Sequence, residues 1–128
     1  MKDIKKTLIV ISGCINILFG LLHASFWKTF DWNNNQVIIK TYSIVMQMLN
    51  LGMLVMLFSL GIVFIVFRHE IISSRLGKAI LLSMVLFYSA RFVADFIFST
   101  TSVFLSALLL LCIILNLIPA IDFKRMES

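Results

Sequence analysis

Four long apolar runs, at residues 7–26, 44–67, 79–98 and 103–121, occupy most of this 128-residue chain. Each is long enough to cross the roughly 30 Å hydrocarbon core of a bilayer, which takes about 17 to 25 mainly apolar residues in a helix. In hydrocarbon every backbone N–H and C=O must be satisfied inside the protein, so segments of this kind are restricted to α-helices. The composition agrees, with 61% hydrophobic and 13% charged residues, where soluble domains carry about a quarter charged residues. The expected fold is an all-α membrane protein: one domain over residues 1–128, built as an antiparallel bundle of four transmembrane helices.

Orientation follows from Lys and Arg in the short connections, which gather on the cytoplasmic side. Lys2, Lys5, Lys6, Arg68, Arg75, Lys78, Lys124 and Arg125 share one side, and Lys28 and Lys40 stand on the other. Both termini are therefore expected in the cytoplasm, with the chain multi-pass in the cell (inner) membrane. Trp27, Phe30 and Trp32 then fall at the outer surface as interfacial aromatics. Asn33 to Gln36 form an outer loop, and the second helix starts near Val37. The net charge of +5 does not indicate nucleic acid, because the basic residues sit at span ends and not in a stripe interleaved with aromatics.

The opening MKDIKKTLIVISGC resembles a lipoprotein signal, with Ile11, Ser12 and Gly13 ahead of Cys14. Its apolar stretch is shorter than the roughly 7 to 15 residues of a secretory core, and the chain stays apolar to Phe26 where a lipoprotein turns polar. An uncleaved first span is the expectation. Cys14 and Cys112 lie near mid-membrane outside any C-x-x-C pair and read as small packing residues. No Walker loop, H-E-x-x-H, G-x-S-x-G or N-x-[ST] pattern occurs, and the reading leans away from an enzyme.

The spans carry polar seams. In the first, Gly13, Asn16, Gly20, His23 and Trp27 recur at steps of three and four, which puts them on one helical stripe facing protein. Gly20 and Ala24 form a small-x-x-x-small pair that permits close approach. In the second span Lys40, Ser43, Gln47 and Asn50 keep the same spacing before the seam turns apolar at Leu54, Leu57 and Gly61. The third carries Tyr88, Arg91 and Asp95. An Arg or Asp at a helix centre costs about 2.5 to 3.5 kcal/mol on insertion scales, so Arg91 and Asp95, one turn apart, are expected to pair. The fourth is nearly all Leu and Ile, with Ser106, Asn116 and Pro119, and is the expected lipid- or oligomer-facing helix. The turn Ser99, Thr100, Thr101, Ser102 makes spans three and four antiparallel neighbours.

Counted from the span midpoints, His23 and Asp95 lie roughly 10 Å outward, Asn50 roughly 8 Å, Gln47 roughly 13 Å and Arg91 roughly 4 Å. His23, Trp27, Gln47, Asn50, Tyr88, Arg91 and Asp95 are thus the expected ligand-binding set, with no catalytic residues and no metal ligands assigned and the cofactor left unknown. The favoured reading is an outward-facing intramembrane polar cluster. In it Arg91 and His23 hold the head group of an amphiphilic small molecule or lipid, and the seams hold its tail. One alternative is a structural or accessory subunit, in which the cluster only fixes helix packing and the fourth span docks on a second copy or a larger membrane partner. Another is a small dimeric proton-coupled transporter with Asp95 as the titrating group. It resembles the small four-helix multidrug exporters in size and span count only, since their acidic residue in the first span is missing here. Haem ligation by His23 would need a second axial histidine from a dimer, because His69 belongs to the loop. His23 with Asp95 is the one acid–base pair an enzyme reading could use.

Overall fold

The structure is a computed structural model that describes residues 2–31, 34, 40–98 and 102–121. Trp32, Asn33, Asn35, Gln36 and the expected helix start at Val37 lie outside the described residues, as do Ser99, Thr100, Thr101, Lys124 and Arg125. Of the described residues 94% are helical and none is in a strand. The elements in order are α1 (Lys2–Phe30), α2 (Lys40–Val66), α3 (Arg68–Ser73), α4 (Arg75–Phe98) and α5 (Val103–Ala120). All but α3 are long and apolar enough to cross a membrane, so the chain is a multi-pass helical protein.

The helices overrun the apolar runs because hydrophobicity marks only the depth of hydrocarbon, whereas backbone hydrogen bonding continues into the interface. At 1.5 Å per residue the 29 residues of α1 span about 43 Å, more than two turns beyond a 30 Å core. The 18 residues of α5 span about 27 Å and only just match it. α1 ends where Asp31 takes a left-handed conformation (φ 41°), which a short polar side chain tolerates. Asn34 closes the turn from its backbone N–H to the Asp31 carbonyl at 3.0 Å and from its Nδ2 to the Asp31 carboxylate at 3.1 Å. α2 stops one residue short of the expected Phe67, and the stretch around His69, read as a loop, is the six-residue α3, which buries Ile71.

The chain groups into two compact units, Met1–Ser12 with Phe64–Ser128, and Gly13–Val63. In the second unit the later part of α1 packs on α2. Gly61 makes that approach possible: a Cβ there would stand 2.6 Å from Ile17 Cγ1 and 2.8 Å from the Gly13 carbonyl. The expected seams turn inward in part: His23, Trp27, Gln47 and Leu54 are half-buried and Lys40 is exposed. Gly13, Asn16 and Gly20 are buried on α1, and Ser43, Asn50, Leu57 and Gly61 on α2, while Leu18, Leu21, Leu22, Met48 and Leu49 are exposed, as lipid-facing positions would be.

In the first unit α4 packs along α5, and α3 against α4. Leu81, Met84 and Tyr88 of α4 and Leu109, Cys112, Leu115 and Asn116 of α5 are buried. Tyr88 and Cys112, each about nine or ten residues from the intervening turn, lie near one another. Lys5 donates to the Ile121 carbonyl at 2.6 Å, placing a cation on the C-terminal end of α5, where it complements the helix dipole. The buried share of the α5 apolar window, 33%, exceeds the 28%, 22% and 22% of the other three, because its Cys112, Asn116, Pro119 stripe is a packing surface.

Candidate functional site

His23 and Asn50 are joined by two hydrogen bonds between α1 and α2. Asn50 Nδ2 donates to the His23 backbone carbonyl at 2.9 Å, which turns Asn50 Oδ1 toward the imidazole, where Nδ1 lies 2.6 Å away. An amide oxygen only accepts, so in the neutral ring the proton sits on Nδ1. The Asn50 amide makes both bonds of this clamp and the residue is 7% exposed. His23 keeps its Nε2 without a partner among the described residues, and Phe26 packs edge-on against the ring at 5.0 Å. Trp27, one turn along the same stripe, is half-buried. Gln47 turns to its own helix and donates to Ser43 Oγ at 3.2 Å.

Arg91 and Asp95 form the expected pair, Nη2 to Oδ1 at 3.1 Å, with the two side chains very differently placed: Asp95 is 5% exposed and Arg91 55%. Heptad spacing from Leu81, Met84 and Tyr88 puts position 91 on the buried stripe of α4, yet the long arginine stem carries its guanidinium to the surface. One of the five guanidinium N–H groups meets Asp95, and Arg91 has no further acceptor among the described residues. A buried carboxylate thus anchors an exposed, hydrogen-bond-rich cation inside an apolar helix. Tyr88, one turn earlier, is 2% exposed.

Within the two units the expected residues make these contacts: His23 with Asn50, Gln47 with Ser43, and Arg91 with Asp95. Among the described residues no three His, Cys, Asp or Glu side chains gather as a metal site requires. Sequence reasoning missed one buried polar contact: Ser12 donates to Asn116 Oδ1 at 3.1 Å, and Asn116 Nδ2 donates to the Cys112 carbonyl at 2.7 Å. Ser12 stands four residues before Asn16 on the same face, a spacing that could have flagged it. Cys14, read as a packing residue, is exposed, whereas Cys112 is buried. No protein-family model, curated protein or solved structure is detectably similar to the chain.

Proposed function

We propose that this is a small polytopic membrane protein that binds the head group of an amphiphile, with Arg91 as the principal contact. The termini are cytoplasmic by the charge bias, so successive spans cross in alternate directions and Arg91 lies in the outer half of the membrane. The observation that carries the reading is the Arg91–Asp95 pair: a guanidinium held by a 5% exposed carboxylate while itself 55% exposed. Its remaining donors need acceptors, and hydrocarbon supplies none. A phosphodiester or similarly acceptor-rich head group meets that need bidentately. Because Asp95 already neutralises the charge, the site favours a ligand rich in acceptors over a simple anion. Phe87, one turn toward the start of α4, offers apolar surface to the tail.

Native mass spectrometry of protein released from a mild detergent, with short-chain phospholipids added, tests this. Arg91→Gln should abolish the lipid adduct, whereas Asp95→Asn should keep it, since the guanidinium is retained. Equal adduct populations in the parent and in Arg91→Gln would refute the reading. A purely structural role is the second reading, favoured by the His23–Asn50 clamp, in which the amide nitrogen and oxygen of Asn50 both already bond to His23.

A further inference from the structure

Three uncharged polar groups on the facing seams of α1 and α2 make no hydrogen bond among the described residues. The first is His23 Nε2. Asn50 Nδ2 is tied to the His23 carbonyl at 2.9 Å, so Oδ1 meets the ring, 2.6 Å from Nδ1. That oxygen only accepts, so in the neutral ring Nδ1 carries the proton and Nε2 presents a lone pair. The second is Gln47 Oε1, the other half of an amide whose Nε2 donates to Ser43 Oγ at 3.2 Å. The third is the Trp27 indole N–H, a donor only. His23, Trp27 and Gln47 are all half-buried and belong to the compact unit Gly13–Val63, whereas Arg91 belongs to the other unit.

His23 lies roughly 10 Å and Gln47 roughly 13 Å from the membrane midplane, and Trp27, one turn beyond His23, roughly 16 Å, at the edge of a 30 Å hydrocarbon core. The seam thus runs from the head-group layer to a ring nitrogen about 5 Å below it. Hydrocarbon offers no donor to a lone pair at that depth. Asn50 and Phe26, whose ring stands edge-on to the imidazole at 5.0 Å, hold the plane of that ring. Two acceptors and one donor, none of them charged, match a hydroxyl group, which gives one proton and accepts on its oxygen. A carboxylate or phosphodiester would bring acceptors to acceptors.

From this we infer that the seam between α1 and α2 binds the uncharged, hydroxyl-bearing head group of an amphiphile, a glycerol or a sugar, with a hydroxyl donating to His23 Nε2. Its chemistry is the opposite of that at Arg91, which gives hydrogen bonds and takes none.

The test uses the full chain carrying Arg91→Gln and His69→Gln and labelled with ¹⁵N-histidine. No adduct at Arg91 is then counted, and His23 is the one ring left of the two in the chain. An amine-oxide detergent supplies no hydroxyl, and an alkaline buffer keeps imidazole neutral. Titration with monolauroylglycerol should move the unprotonated Nε2 signal upfield to saturation, because a donated hydrogen bond engages its lone pair. The di-O-methyl ether of the same molecule, which has no donor, should leave the signal in place. Dodecyl glucoside forms a second arm; a response to either alcohol supports the site, and the stronger one tells glycerol from sugar. Trp27→Phe and Gln47→Leu should each weaken binding roughly three- to sixteenfold, the worth of one hydrogen bond between membrane helices. A loss in either variant, with the Nδ1–H signal of the clamp unaltered, supports the seam. Tyr42→Phe removes a hydroxyl that is 61% exposed and off the seam, and should change affinity by about twofold at most. The inference is overturned by no response to either alcohol, by an equal response to the dimethyl ether, or by full affinity in both Trp27→Phe and Gln47→Leu. A loss in Tyr42→Phe as large as theirs overturns it too.

Discussion

Replacing Asn50 by Ala should destabilise the packing of α1 on α2, and the size of the effect can be worked from the two bonds that its amide makes. Asn50→Ala deletes both the 2.6 Å contact to the His23 ring and the 2.9 Å bond to the His23 carbonyl. Interhelical hydrogen bonds in membranes contribute about 0.6 kcal/mol on average and at most about 1.7, so the expected loss is about 1 to 3 kcal/mol. His23→Ala deletes only the ring contact, because the backbone carbonyl remains to accept from Asn50. The double-mutant cycle therefore isolates a single bond, Nδ1–H to Oδ1. Its coupling should lie between about 0.6 and 1.7 kcal/mol. Equilibrium unfolding in mixed micelles of mild and denaturing detergent measures all four corners. Distant, independent sites add to within about 0.3 to 0.5 kcal/mol, so a coupling no larger than that would show that the bond to the ring does not form. An ¹⁵N spectrum of the imidazole gives an independent check, since the clamp demands the Nδ1–H form of the neutral ring; a dominant Nε2–H form would refute the assigned amide orientation.

Gly61→Ala should cost about 1 to 3 kcal/mol in the same assay despite alanine's better helix propensity, because the added methyl would stand 2.8 Å from the Gly13 carbonyl; Gly52→Ala, with nothing within 4 Å, should be neutral or gain up to about 1 kcal/mol. Ser12→Ala and Asn116→Ala should couple by about 0.6 to 1.7 kcal/mol, measured by the same cycle, since a single buried bond joins them; full additivity would remove that bond from the account.

Much of the helical framework is legible from local pattern. The four spans follow from runs of apolar residues, and the inward faces from recurrence at three and four: Gly13, Asn16 and Gly20 on α1, and Ser43, Asn50, Leu57 and Gly61 on α2, are all buried. The Arg91–Asp95 pair was also legible, because an ion pair one turn apart needs only helix geometry. The exposure of Arg91 was not, since its position belongs to the buried stripe and only the length of its stem carries the charge outward. α3 escaped notice because six residues are too few for a periodicity, and its join to α4 depends on Gly77 meeting a backbone six positions earlier.

The sequence by itself determined that this chain forms membrane-spanning helices, which of their faces turn inward, and how far each polar residue lies along its helix. Tertiary structure alone decided partners: Asn50 for His23, Asn116 for Ser12, and for Gln47 a neighbour on its own helix. The reason is geometric. Residue spacing supplies depth and rotation about one helix axis, whereas a hydrogen bond of about 3 Å between helices also requires their separation and relative height, which are set by where Gly61 lets α1 and α2 approach and where the Cys112, Asn116, Pro119 stripe packs.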